Sequence, residues 1–319
     1  ADKKDLALIL SDQECAAAAV YTMNRVKAAP LYVTMEHLED GTAWGVAANS
    51  GNANACCPMS HEYAEEMARL AARATGRAPA DFVVASTGVI GQTLNIAAIR
   101  AGMPAAAAGL TAGPEGSDAA ARAIMTTDTV KKELALACSI GGRTVTLGAI
   151  AKGSGMIHPN MGTMLCFVTT DCAITREMLS EALREVVPRT FNRVTVDGDT
   201  STNDMCLALA NGMAGNPLIE WKDEDYSAFL AALEELCRQL ARSIAGDGEG
   251  ASRLITCAVR EARSEESAER LAKAVVGSPL VKAAMFGSDA NWGRVLCAMG
   301  YSKAPFRPEH VDVTFQSQA

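Results

Sequence analysis

Apolar positions along the chain come in two kinds, strand-length runs and longer stretches with a helical period. Residues 6–10, Leu-Ala-Leu-Ile-Leu, suit a buried strand. Residues 31–38 and 42–48 flank Asp40-Gly41, a hairpin dipeptide, and predict two paired strands. Ser60 can cap a helix that carries Met67, Leu70, Ala71 and Ala74 on one face, and Gly76 can end it. Residues 81–85 predict a strand that runs into the turn Ser86-Thr87-Gly88. Residues 133–140 and 143–150 flank Gly141-Gly142, a second hairpin signal.

The second half reads similarly. Residues 163–170 predict a strand, and Thr175 caps a helix that must stop near Pro188. Residues 194–196 and 254–259 predict short strands. Phe229, Leu233, Leu236, Leu240 and Ile244 have helical spacing, with Gly246 closing that helix. Ser264 caps a helix carrying Leu271 and Val275, and Pro279 after Ser278 opens another. Interspersed helices and strands, two of the strand pairs joined by tight turns, predict a mixed or antiparallel α+β layer fold rather than a βαβ barrel.

Composition narrows the function classes. The 319 residues are 49% hydrophobic and only 5% aromatic, enough apolar surface for a sizeable core. The net charge is −8 without a lysine and arginine cluster, which argues against nucleic acid. No apolar run reaches the roughly 20 residues that span a bilayer, and the opening apolar segment is too short for a signal peptide. Ten cysteines without a CxxC pair read as reduced, buried, cytoplasmic thiols, with no metal site.

Four segments are dense in small and polar residues: 49–54, 86–91, 152–163 and 197–204. Such loops carry function more often than other surface segments, although each alone could be a plain turn. The Asp197 segment fails as a calcium loop, with Thr202 and Ala208 at the positions that need Gly and Glu. It also fits a magnesium-dependent phosphatase, in which Asp197 attacks phosphorus and Asp199 acts as acid and base. Lys152-Gly153-Ser154-Gly155 lacks the glycines that must precede the lysine of a phosphate loop. His158 reads as structural, because no Gly-x-Ser-x-Gly elbow accompanies it. In 247–250, helix capping explains the glycines but not Glu249. Thr163 stands where a glycine-rich loop meets a strand. Its hydroxyl could be activated by its own α-amine, freed by chain cleavage after Gly162; taken alone, it reads rather as an ordinary threonine at the start of a strand.

Taken together, residues 151–163 with Met164-Leu165-Cys166-Phe167-Val168-Thr169-Thr170-Asp171 resemble the self-cleavage region of the glutamate N-acetyltransferase / ornithine acetyltransferase family of arginine biosynthesis. Segments 49–54, 85–91, 125–129, 191–204, 247–250 and 287–294 agree in family order, nearly over the full length. The resemblance implies a layered α/β sandwich of the ornithine acetyltransferase and DmpA-like N-terminal-nucleophile type. It implies cleavage between Gly162 and Thr163 into an α chain (1–162) and a β chain (163–319) that share one core. Thr163 would be the nucleophile, taking acetyl from N-acetylornithine and passing it to glutamate, with acetyl-CoA a donor in some members. Thr87 and Gly88 match the oxyanion pair, and Thr126, Lys152, Thr163 and Glu249 match substrate contacts. Lys152 would pair with a substrate carboxylate and Glu249 with a substrate amine. No metal or cofactor is implied; a heterotetramer of two α/β pairs is.

The sequence departs from the family in having Gly162 where alanine is common, and family members continue beyond Ala319. Three other readings are kept. They are an aminopeptidase of the same N-terminal-nucleophile fold, the phosphatase above, and a truncated, inactive homologue that serves as a binding partner.

Overall fold

A computed structural model of the chain describes residues 4–158 and 164–317. Seven strands form one sheet. Its first strand, β1 (Leu6–Tyr21), runs far beyond the apolar stretch 6–10. The polar residues Ser11–Glu14 do not end it; they sit at a bulge, where the register jumps between Leu10 and Cys15. β1 pairs antiparallel with β2 (Thr42–Asn49) before the bulge and, at Cys15 and Ala16, just after it; Ala16–Tyr21 pair antiparallel with β7 (Met205–Ala210). Beyond β2 lies β3 (Phe82–Ser86), parallel to it. Beyond β7 come β6 (Leu165–Thr170), parallel to it, then β5 (Arg143–Lys152) and β4 (Lys132–Ile140), both antiparallel. The β4–β5 hairpin turns at Gly141 and Gly142, φ +53° and +74°, where two left-handed residues are needed.

The sheet is folded on itself about the long β1, and the period-two pattern proves it. Val46, Ala48, Val83 and Ala85 of one half share a core with Leu165, Phe167, Leu207 and Leu209 of the other. Their alternates face outward. Ala47, Phe82 and Val84 pack on α2 (Ser60–Thr75) and α3 (Ile96–Ala108). Cys166, Val168, Cys206 and Ala208 pack on α5 (Arg176–Arg189) and α6 (Glu224–Gly246). The result is four layers, helix–sheet–sheet–helix, an α+β fold as predicted. In α6 the five predicted positions are all buried, each contributing about 1.5–3 kcal/mol of apolar burial before entropy.

Several expectations need correction. Residues 31–38 are not a strand: α1 (Ala29–His37) occupies them, with Pro30 in its first turn, and Asp40-Gly41 leads from helix to strand. Leu31, Val33 and Thr34 are buried on both sides of that helix, so tertiary packing overrides their strand preference. Ser60 is the first helical residue of α2, not its cap. Met59 takes that place at φ +61° with no side-chain cap, and Ser60 Oγ donates to the Cys57 carbonyl (2.8 Å). Residues 194–196 are irregular, although the Val196 N–H donates to Ile157 O (2.6 Å). Residues 254–259 are also outside any strand. Cys257 and Val259 do pack, in alternation, against a separate cluster built by α7 (Glu265–Gly277), α8 (Pro279–Phe286) and α9 (Trp292–Gly300). The caps Thr175, Ser264 and Ser278 and the stop at Gly76 are as predicted. The remaining α-helix among the described residues, α4 (Pro114–Ala123), adds Ala121 and Ala123 to the inner core.

Candidate active site

The loops that follow β2 and β3 meet the loop that precedes β7, and Asn203 joins them. Its amide donates to the carbonyls of Ala53 (2.7 Å) and Ser86 (2.8 Å), while Thr202 Oγ1 holds its oxygen (2.6 Å). Ser86 Oγ donates to Asn49 Oδ1 (2.6 Å), and the Thr87 N–H donates to Asn49 O (3.0 Å). These bonds fix the turn that carries Thr87 and Gly88. At Gly88, φ is +131°, and a Cβ would stand 2.2 Å from the Gly51 carbonyl carbon. Conformation and close approach therefore both demand glycine.

Lys152, the last residue of β5, reaches this turn. Its Nζ donates to Thr87 Oγ1 (3.2 Å). A hydroxyl that accepts from an ammonium keeps its own proton for a further acceptor. Thr87, Lys152, Met156, Met164, Ser201 and Asp204 line a cavity of about 20 Å³. Thr87 of the predicted oxyanion pair and the predicted lysine thus share this cavity with Met164. Gly162 and Thr163 themselves lie outside the described residues.

A buried charge network ties together the segments that carry the other predicted contacts. Lys132 Nζ, with no side-chain exposure, pairs with Asp128 Oδ1 (2.7 Å) and Asp247 Oδ2 (2.6 Å). Asp128 also accepts from the N–H groups of Gly153 (2.7 Å) and Thr126 (3.0 Å). Asp247 ends α6 and accepts from the N–H and hydroxyl of Thr129; Ser154 Oγ donates to its carbonyl (2.6 Å). Burial pushes the Asp128 carboxyl up, but Lys132, the charge of Lys152 and the two N–H groups outweigh it and hold it below the usual carboxylate range. For Asp247 burial acts the same way and is outweighed by Lys132 and Thr129. Thr126, Lys152 and Glu249 each stand within two residues of a member of this network. Glu249 is exposed, with its N–H donating to Ser154 O (3.2 Å), and its carboxyl lies over Gly155, where a Cβ would meet Oε1 at 2.3 Å.

The structure gives the remaining candidates other work. Asp197 accepts the N–H groups of Met156 (2.6 Å), Ile157 (2.9 Å) and Asp199 (3.0 Å), so its carboxylate closes a loop rather than waiting for phosphorus. Asp199 is exposed. The Asp197/Asp199 phosphatase reading loses its nucleophile to these bonds. His158 Nδ1 meets Thr195 Oγ1 (2.9 Å), in keeping with a structural role, and burial pushes its pKa down. Of the cysteines, Cys15, Cys166, Cys172, Cys206 and Cys237 are buried, but Cys56 and Cys297 are exposed. Among the described residues, no group of three or more His, Cys, Asp or Glu side chains is placed to hold a metal. Among them too, no helix is long and apolar enough to cross a membrane. Sequence reasoning assigned no role to Lys132, Asp128, Asp247 or Asp204. The last three fall inside the quoted motifs, whereas Lys132, between Lys131 and Glu133, has the look of a solvated charge run.

Fold and site define a class: a four-layer α+β protein, its sheet folded on itself, with a glycine turn and a buried lysine meeting beside the residue that precedes β6. The chain belongs to the ArgJ family, whose profile matches residues 1–319. It is 57% identical over 314 residues to the arginine biosynthesis bifunctional protein ArgJ of Symbiobacterium thermophilum, covering 98% of this chain and 78% of that one. With the ArgJ protein of Geobacillus kaustophilus it shares 48% over 313 residues, covering 98% and 76%. Among solved structures, the ornithine acetyltransferase of Mycobacterium tuberculosis, complexed with ornithine, is 34% identical, with a TM-score of 0.44. That match covers 50% of this chain and 83% of the other.

Proposed function

We propose that this protein is an acetyltransferase of arginine biosynthesis that moves acetyl from N-acetylornithine to glutamate through an acetyl-threonine intermediate. The observation that carries this reading is the cavity that Thr87 and Lys152 share with Met164, the residue after Thr163 in the chain. Family membership supports the same chemistry, because the relatives are named for arginine biosynthesis.

In this reading the chain is cleaved between Gly162 and Thr163, and the new α-amine of Thr163 takes the proton from its hydroxyl. An α-amino group titrates near 7.7–8.0, so a usable fraction of it is free base at neutral pH. The hydroxyl attacks the acetyl carbonyl and ornithine leaves; glutamate then attacks the ester. Negative charge developing on the carbonyl oxygen is met by the Thr87 hydroxyl and the Gly88 N–H; one such donor is worth roughly 3 kcal/mol. Lys152 and Glu249 offer a cation and an anion to the two ends of an amino-acid substrate, with Thr126 beside them. The buried Asp128–Lys132–Asp247 network holds their spacing.

The test is transfer from N-acetylornithine to glutamate by the purified protein, with peptide amides in parallel. Release of ornithine that depends on glutamate, with ping-pong kinetics, is expected. Peptide hydrolysis without acetyl transfer would instead mark an aminopeptidase, and a stable fold with neither activity an inactive homologue. Acetyl-CoA with glutamate, assayed alongside, decides the second donor.

A further inference from the structure

In the loop that follows β5, left-handed backbone falls on a methionine and not on the glycines beside it. Met156 has φ +57°, whereas Gly153 and Gly155 have no positive φ. Glycine is thus absent from the position where it would cost least. The conformation is held from outside: Asp197 accepts the N–H of Met156 at Oδ2 (2.6 Å) and that of Ile157 at Oδ1 (2.9 Å). Met156 lines the cavity of Thr87 and Lys152. Among the described residues of that lining it alone is exposed, at 42%, while Thr87, Lys152, Met164 and Asp204 are buried. A lone exposed methionine needs no explanation, but one kept in left-handed backbone at such a place does. A side chain this exposed gains little from the protein's own core, so folding accounts for neither the residue nor its backbone. The charges near it suit the two ends of an amino acid. Lys152 stands on the same wall, and the Glu249 carboxyl lies over Gly155, the residue before Met156.

We propose that Met156 is a specificity-determining residue, whose side chain packs on the methylene chain of an amino-acid substrate that carries a charge at each end. An unbranched thioether adapts to an unbranched chain more readily than a branched side chain does. With Lys152 on the carboxylate and Glu249 on the terminal amine, the methylenes of ornithine lie over Met156 and displace water from it. The apolar side chain that is exposed in the free protein is then covered by the ligand. The inference deepens the proposed acetyl transfer and rests on it: it names what the site measures, the apolar length between two charges.

Titration calorimetry with ornithine, 2,4-diaminobutyrate (one methylene fewer) and lysine (one more) tests it on wild type, Met156→Gly and Met156→Leu, with thermal unfolding followed in parallel. Burying one methylene raises affinity by up to about fourfold, so the wild type separates ornithine from its shorter homologue. In Met156→Gly, ornithine binds about 10-fold more weakly or worse, and the differences among the three ligands shrink. Its thermal stability holds or rises, because glycine suits φ +57°. Met156→Leu restores most of the affinity and the order of the three ligands. A glycine variant that unfolds at lower temperature than wild type marks a structural side chain and overturns the proposal. So does a stable glycine variant that binds ornithine as tightly as wild type. A wild type that binds none of the three overturns the proposed function, and this inference with it.

Discussion

Thr163→Ala yields a folded protein that remains one chain of 319 residues and transfers no acetyl. Both losses follow from one atom. The hydroxyl of Thr163 is the group that attacks Gly162 during processing and the acetyl carbonyl during transfer, and alanine supplies neither the oxygen nor a substitute. The oxyanion donors and the other substrate contacts, Thr126, Lys152 and Glu249, survive the change, so binding is weakened far less than chemistry. Removing a nucleophile that forms a covalent intermediate costs on the order of 10⁴–10⁶ in rate. Intact mass measurement and the transfer assay check the two losses separately. Cleavage or transfer at even a few per cent of the wild-type rate would exclude Thr163 as the nucleophile.

The second large effect is on stability. Lys132→Met removes an ammonium that two buried carboxylates share at 2.7 and 2.6 Å. Breaking a buried pair by deleting one partner costs about 3–5 kcal/mol, because the remaining charge stays uncompensated. Here two carboxylates are left, so the upper part of that range is expected at neutral pH, read as a shifted denaturant midpoint. The pH dependence has a definite sign. In the wild type Asp128 and Asp247 are held below the ordinary carboxylate pKa, so their contribution is present above that value and is lost as pH falls through the folded-state values. In the variant the unpaired carboxyls are raised instead, and protonating them relieves the folded state. The gap between wild type and variant is therefore widest at neutral pH and narrows toward acid. Substrate KM rises as well, since Asp128, which accepts from the Gly153 and Thr126 N–H groups beside Lys152, loses the lysine that holds it in place.

Much of the fold was legible because local signals and tertiary demands agreed. The β4–β5 hairpin has the two glycines its turn requires, and α5, α7 and α8 begin at hydroxyl caps. Where they disagreed, packing won. Residues 31–38 have strand-like side chains but form a helix that buries Leu31 and Val33 in two different cores. The bulge in β1 hid half of a strand behind four polar residues, because a bulge tolerates the exposed side chains that a regular strand would reject. At the site, the segments that carry the glycine turn and Lys152 stood out in the sequence as runs of small and polar residues, and the resemblance named Thr87, Gly88 and Lys152 within them. The Lys132 network could not. Its members lie 115 residues apart in the chain, and only folding turns an apparent surface lysine into the tie between two buried acids. Asp204 was hidden by the same logic, because the sequence shows an acid in a polar loop and not the burial that changes its chemistry.

The central claim is that acetyl rides on Thr163, and mass spectrometry of the purified protein mixed with N-acetylornithine, without glutamate, tests it directly. Two fragments are predicted, 1–162 and 163–319, with the second alone heavier by one acetyl group placed on its first residue; glutamate added afterwards returns that fragment to its original mass. An uncleaved chain, or fragments that never gain an acetyl group while transfer proceeds, would contradict the account.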